Sequence, residues 1–167
     1  RIGEPCAELL TDELRAHRMH WFATKAVMSV LADLGYKDAA RTIESYTGHP
    51  HAKVREECIL SLVKLLGPAA ARVLLTMLDD KDDGNVRKVI QNLGMVHCVD
   101  KMFLAKIRDT VRLRTRKEPE PHDWLQVACL RALAHYQGVA LPEGTPDFEP
   151  LLIEDLRRLL PRLEAQH

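Results

Sequence analysis

Residues 54–67 read VREECILSLVKLLG, and 32 residues after its start the chain opens the same phrase again as VRKVIQNLG, residues 86–94. In the first copy the apolar positions are Val54, Cys58, Ile59, Leu62, Val63 and Leu66, a spacing that lays one apolar stripe along an α-helix. Gly67 and Pro68 stop it, because glycine adopts the backbone that a helix end needs and proline cannot continue the helix. Shifted back by 32 residues, the stripe falls on Phe22, Ala26, Val27, Val30, Leu31 and Leu34, with Gly35 in the place of Gly67. Shifted forward by 71, it falls on Leu125, Cys129, Leu130, Leu133 and Ala134, with Gly138 as the stop. The copy that begins at Val86 starts in register and then drifts, since Gly94 arrives early and the segment after it is long.

A helical hairpin of this size cannot bury both sides of its first helix by itself, so each copy supplies a wall for the next. Glycine and proline punctuate the rest of the chain into about nine segments of helix length, and strand-like alternation is absent. The first segment spans 5–16, with Pro5 suited to the opening turn. The others pair as 18–34 with 37–47, 51–66 with 68–80, 84–96 with 98–115, and 121–136 with 147–164. The reading is all-α: a short solenoid of about four hairpins (18–47, 51–80, 84–115 and 121–164) plus an N-terminal capping helix, in a single domain over 1–167.

The stretch HAKVREECILSLVKLLGPAAARVLLTMLDD (51–80) resembles a HEAT repeat: a first helix opened by Val-Arg, a leucine-rich end, a glycine turn, a second helix with paired leucines, and acidic residues after it. DGNVRKVIQNLGMVHCVDKMFLAKI (83–107) is similar. The Asp-Pro that often precedes the first helix of such repeats is replaced here by GHPH and DDGN. The resemblance implies an armadillo-type, right-handed α-α superhelix that serves as a scaffold for partners, whose second helices line the concave surface.

Composition narrows the function further. Lys plus Arg and Asp plus Glu number 24 each, so no global field draws the chain to a polyanion or an acidic membrane. No stretch approaches the roughly 20 continuous apolar residues of a bilayer crossing, and no membrane partner is expected. The four cysteines, Cys6, Cys58, Cys98 and Cys129, lie far apart without metal-ligand spacing, which points to a reduced, cytoplasmic setting. Since the first residue is Arg, the chain is expected to belong to something longer.

The cysteines, histidines and charge clusters are the candidates for chemistry. Cys58 and Cys129 share a repeat slot with Ala26, where a small apolar side chain fits between helices, so packing is the expected role. His17 and His49 are 32 apart and His51 and His122 are 71 apart, which places them at equivalent turns and helix starts; His17 and His20 are one helical turn apart without a third ligand. DDKDDGN (79–85) fails the calcium-loop spacing and reads as an acidic turn that caps the next helix. No nucleophile with a base, carboxylate pair or metal constellation recurs at useful spacing, and no His-Glu dipeptide of the kind that binds metal in some repeat enzymes is present. The expectation is therefore a non-enzymatic protein–protein interaction scaffold without metal or cofactor. Its candidate contact residues are Arg41 and Arg72 on the second helices of the first two copies, with Lys101, Lys106, Arg108 and Arg112 on the third. The alternative is nucleic-acid binding through the basic segment 101–117.

Overall fold

The computed structural model describes residues 4–96 together with 98, 100, 103 and 105. The expected repeat at 121–164, and the basic segment apart from residues 103 and 105, lie outside the described residues. The chain forms two compact units, residues 1–89 and 90–167. Among the described residues every regular element is helical: α1 (Glu4–Arg15), α2 (Trp21–Asp33), α3 (Ala40–Glu44), α4 (Ala52–Leu66), α5 (Ala71–Thr76) and α6 (Asp83–Met95). Short 3-10 turns, Lys37–Ala39 and Gly67–Ala70, lead into α3 and α5.

Local chemistry starts and stops these helices where the repeat places them. His20 and His51 are the N-caps of α2 and α4, each with ring Nδ1 accepting from a backbone N–H, of Phe22 at 3.5 Å and of Lys53 at 3.2 Å. At the other end of α2, Gly35 takes the left-handed φ of +66°; its N–H donates to the Ala32 carbonyl, and the Tyr36 N–H to that of Leu31. That pair of bonds satisfies carbonyls that a helix end leaves open. Gly67 takes φ +54° and turns the chain from α4 toward α5. Residues 52–76 are long and apolar enough by composition to cross a membrane, but this turn divides them, and α4 buries eight of its residues inside the protein.

The second helices are shorter than the expected 37–47 and 68–80. At their ends Ser45, Thr47 and Thr76 donate to the carbonyls of Thr42, Glu44 and Val73 at 2.7, 2.9 and 2.7 Å. These bonds occupy carbonyls that the helix ends leave open.

In the first unit the principal packing is α2 against α4, with α3 closing over α4. The Cys58 Sγ lies 4.0 Å from the Met28 Sδ, and Leu31, Ile43, Ile59, Leu62 and Leu74 are fully buried. The stripe matched at an offset of 32 is not buried alike in its two copies. Val54, Cys58 and Leu62 are sealed, whereas Phe22, Ala26, Val30 and Leu34 are exposed. The cause is the number of neighbours. α4 has α2 on one side and the start of α6 on the other, where Lys88 pairs with Glu56 at 3.0 Å and the Asn85 side-chain amide donates to the Ala52 carbonyl at 3.1 Å. α2 packs on α4 and α1, and neither covers the side that carries Phe22, Val30 and Leu34. α1 packs on α2 and α3, and the Tyr46 hydroxyl donates to the Leu14 carbonyl at 2.5 Å. Its buried residues Ala7, Thr11 and Leu14 match Ala39, Ile43 and Tyr46 at the same 32-residue offset. α1 thus carries the burial pattern of a second helix.

One ion pair ties the turns together. Arg55 grips Asp80 with two hydrogen bonds of 2.7 and 2.8 Å, the two side chains only 8% and 3% exposed. A further Arg55 nitrogen donates to the carbonyls of His49 and Pro50 at 2.7 and 3.1 Å. Asp80 also accepts the Asp82 N–H at 2.8 Å, while the Asp82 carboxylate accepts from the Asn85 N–H at 3.0 Å at the start of α6. The acidic turn does cap a helix, through Asp82, but Asp80 faces inward.

Burial alone would raise the Asp80 carboxyl; the hydrogen bonds from Arg55, Asp82 and Asn85 and the Arg55 charge outweigh it and hold the group below its ordinary range. Glu56, between Lys53 and Lys88, is lowered in the same way against the effect of burial. Carboxyls lowered in the folded state stabilise it fully above their unfolded value near pH 4 and lose that contribution as pH falls through the folded value. The acid limb of stability should therefore become shallower in Asp80→Asn. Asp80→Ala strands a buried guanidinium and should lower unfolding free energy by about 3–5 kcal/mol in urea titrations.

Candidate functional site: the second-helix face around Arg41

A cleft of about 420 Å³ opens beside α3, lined by Arg15, His17, Asp38, Arg41, Thr42 and Ser45. Its walls come from the end of α1 and from the 3-10 turn and helix that follow α2. His17 has φ +50°, a left-handed backbone uncommon for a residue with a side chain. Its ring stacks on Tyr46 with centroids 4.6 Å apart and planes 30° apart, and Tyr46 is itself tied to Leu14. Burial, with the nearby Cys58 a smaller influence, raises the Tyr46 hydroxyl above its ordinary value, so it remains a protonated donor. This rigid corner fixes one wall of the cleft.

The charges of the cleft are unequal in their commitments. Arg15 pairs with Asp12 at 2.7 Å, one helical turn away on α1. Arg72, on α5, reaches across to both carboxylate oxygens of Glu44 at 3.0 and 3.2 Å and clips α5 to α3. Arg41 is exposed and makes no ion pair among the described residues. Of the two second-helix arginines singled out in the sequence, Arg72 is therefore engaged within the fold, while Arg41 keeps its charge for solvent or a ligand. Lys101, Lys106, Arg108 and Arg112 lie outside the described residues.

A second cleft, of about 280 Å³, lies over the turns and includes Thr47, His49, Arg55, Thr76, Asp80 and Lys81. Its guanidinium is committed to Asp80 and to two backbone carbonyls. In the sequence Arg55 reads only as part of the opening Val-Arg signature, and the acidic pair after the second helix, 25 residues on, is the signal for its partner.

Among the described residues no group of three His, Cys, Asp or Glu is placed to hold a metal ion. His49 accepts from the His51 N–H at 3.1 Å, and His51 in turn caps α4 while stacking on Trp21 at 4.0 Å. The equivalent turn histidines thus act on backbone and rings. Cys58 is fully buried, and desolvation, reinforced by the neighbouring Glu57 charge, pushes its thiol up to about 12. A thiol held protonated at neutral pH is a poor nucleophile and metal ligand. Ala26 shares the sequence slot of Cys58 but lies on the open side of α2.

Stacked first helices, a layer of short second helices beside them and an exposed charged face describe a helical-repeat binding protein. Residues 7–94 match the family of HEAT repeats, and the chain belongs to that family. The match begins inside α1 and ends inside α6, in keeping with the second-helix character of α1. HEAT repeats generally mediate protein–protein interaction. No curated protein and no solved structure matches the chain.

Thiol accessibility checks the packing directly. With a maleimide at neutral pH followed by peptide mapping, the exposed Cys6 should label in native protein, whereas Cys58 should label only after denaturation.

Proposed function

We propose that this protein is a non-enzymatic scaffold that holds a protein partner on its second-helix face, with an acidic segment of the partner entering the cleft at Arg41. The observation that carries this reading is the uncommitted Arg41 guanidinium at a cleft whose other arginine is paired, beside a helix whose Glu44 is clipped to Arg72. A planar fork of donors suits a carboxylate. Thr42 is buried and the Ser45 hydroxyl is turned to the Thr42 carbonyl, so charge rather than hydroxyl chemistry would select the ligand. A cytoplasmic setting belongs to the same proposal, because the exposed Cys6 thiol and the buried Cys58 thiol suit a reducing compartment.

The test is calorimetric titration of the protein with a short glutamate-rich peptide at low salt. Arg41→Glu should weaken binding roughly tenfold or more, because a like charge then faces the carboxylates. Arg72→Ala should change it far less, since an exposed pair within the fold contributes about 1 kcal/mol or below. Equal affinity of the wild type and Arg41→Glu would overturn the assignment of the cleft.

A further inference from the structure

The arginines of the two second helices hold the same place in the repeat and end in different contacts. Counted from the N-cap histidines, His20 and His51, Arg41 and Arg72 share one position, and the buried Ala39, Thr42 and Ile43 match the buried Ala70, Val73 and Leu74 around them. Arg72 reaches back to Glu44 on the preceding second helix, 28 residues earlier. α1 carries the burial pattern of a second helix, and the register that overlays Ala7, Thr11 and Leu14 on Ala39, Ile43 and Tyr46 overlays Asp12 on Glu44. By the logic of the repeat, Asp12 is therefore the counterpart partner of Arg41, 29 residues earlier in the chain. α1 packs on α3, which puts the two on adjacent helices.

That counterpart pair is not formed. Asp12 accepts instead from Arg15 at 2.7 Å, three residues on along α1. The next copy lacks such a competitor: three residues beyond Glu44 stands Thr47, whose hydroxyl donates to the Glu44 carbonyl and leaves the carboxylate to Arg72. Arg15 also lines the same cleft as Arg41, so Asp12 is held beside that cleft by a residue of its wall. Helix geometry favours the local pair. An acidic residue one turn before a basic one meets it without ordering a second element, and a cation in the last turn of α1 lies at the negative end of the helix. Side chains 60% and 59% exposed nevertheless make a weak pair, easily exchanged.

We propose that Arg15 is a positioning residue that keeps Arg41 available to the partner by occupying Asp12, and that loss of the Arg15 pair lets Asp12 clip Arg41 as Glu44 clips Arg72. Asp12 is then a competitor of the partner's carboxylate, supplied by the neighbouring helix and directed at the same guanidinium. The affinity of the cleft thereby depends on a residue that does not have to touch the ligand. For its effect on binding the proposal rests on the acidic-segment reading of the Arg41 cleft, whereas the exchange of Asp12 between two arginines is a property of the free protein.

The test uses the whole chain. Nitrogen-15 NMR of the arginine side chains reads the exchange without ligand, the Arg41 guanidinium resonance being identified by its loss in Arg41→Lys. Arg15→Ala should shift that resonance, and adding Asp12→Ala should return it to its wild-type position; alanine at either place preserves α1, since it is the best helix former. Calorimetry with the glutamate-rich peptide reads the consequence. Arg15→Ala should weaken binding roughly threefold, the scale of one exposed pair, and Asp12→Ala in the same chain should restore it. Glu13→Ala in place of Asp12→Ala changes the net charge equally and should restore nothing, because Glu13 overlays Ser45 rather than Glu44. An Arg41 resonance indifferent to Arg15→Ala overturns the proposal whether or not the peptide binds. So does binding that stays weak in the Arg15→Ala, Asp12→Ala double variant, since Arg15 would then touch the ligand itself, and so does equal rescue by Glu13→Ala, the mark of a long-range field. A wild type that fails to bind the peptide while the resonance moves and returns supports the exchange and refutes the acidic-segment reading alone.

Discussion

Arg55 and Asp80 sit where the turns of this fold converge, and the stacking of its helices depends on their contact. A buried ion pair is not in itself a large source of stability, because desolvating two charges cancels much of their attraction. Its value lies in position. The guanidinium holds two carbonyls of the turn before α4 and one carboxylate from the turn after α5, while that carboxylate receives the backbone of the turn leading into α6. Two connecting segments with no regular structure of their own, the one before α4 and the one between α5 and α6, are thereby fixed relative to the first turn of α4. Apolar burial determines that the helices pack; this contact determines where the connecting turns lie.

Helix boundaries follow from smaller effects of the same local kind. A histidine as N-cap is less usual than serine or aspartate, but its ring nitrogen accepts a backbone N–H in the same manner, and the ring adds an aromatic contact, as in the stack of His51 on Trp21. Gly35 and Gly67 take left-handed backbones that a side chain would strain, so the turn between first and second helix falls at one place in each hairpin. The second helices end sooner, with the hydroxyls of Ser45, Thr47 and Thr76 bonded to the carbonyls at their ends. These details give first helices of 13 and 15 residues and second helices of 5 and 6.

The architecture was legible in the sequence because the apolar period and the glycine stops of residues 22–35 and 54–67 repeat together, and few arrangements satisfy both. The site was legible only in part. Arg41 and Arg72 look alike on paper, two arginines on second helices; Glu44, one turn beyond Arg41, engages Arg72 and leaves Arg41 without it. In the sequence Arg55 reads as a signature residue and Asp80 as part of an acidic turn that caps the next helix, because a buried partner for either is not a local feature. Nothing within either local stretch reveals a contact spanning 25 residues.

The mismatch along α2 has the same origin and reaches further. An apolar stripe states what a helix is able to pack against, and a neighbour decides which part of that stripe is sealed. Overlaying Phe22, Ala26 and Val30 on Val54, Cys58 and Leu62 identifies equivalent chemistry correctly, yet it carries no information about how many helices flank each copy. In a repeat protein every interior helix is wanted on two sides, so the number of covered sides separates interior from boundary. Within residues 4–96 α4 is flanked on both sides, whereas the side of α2 that carries Phe22, Val30 and Leu34 meets no neighbour among the described residues, and the same stripe is sealed in one copy and open in the other for that reason alone.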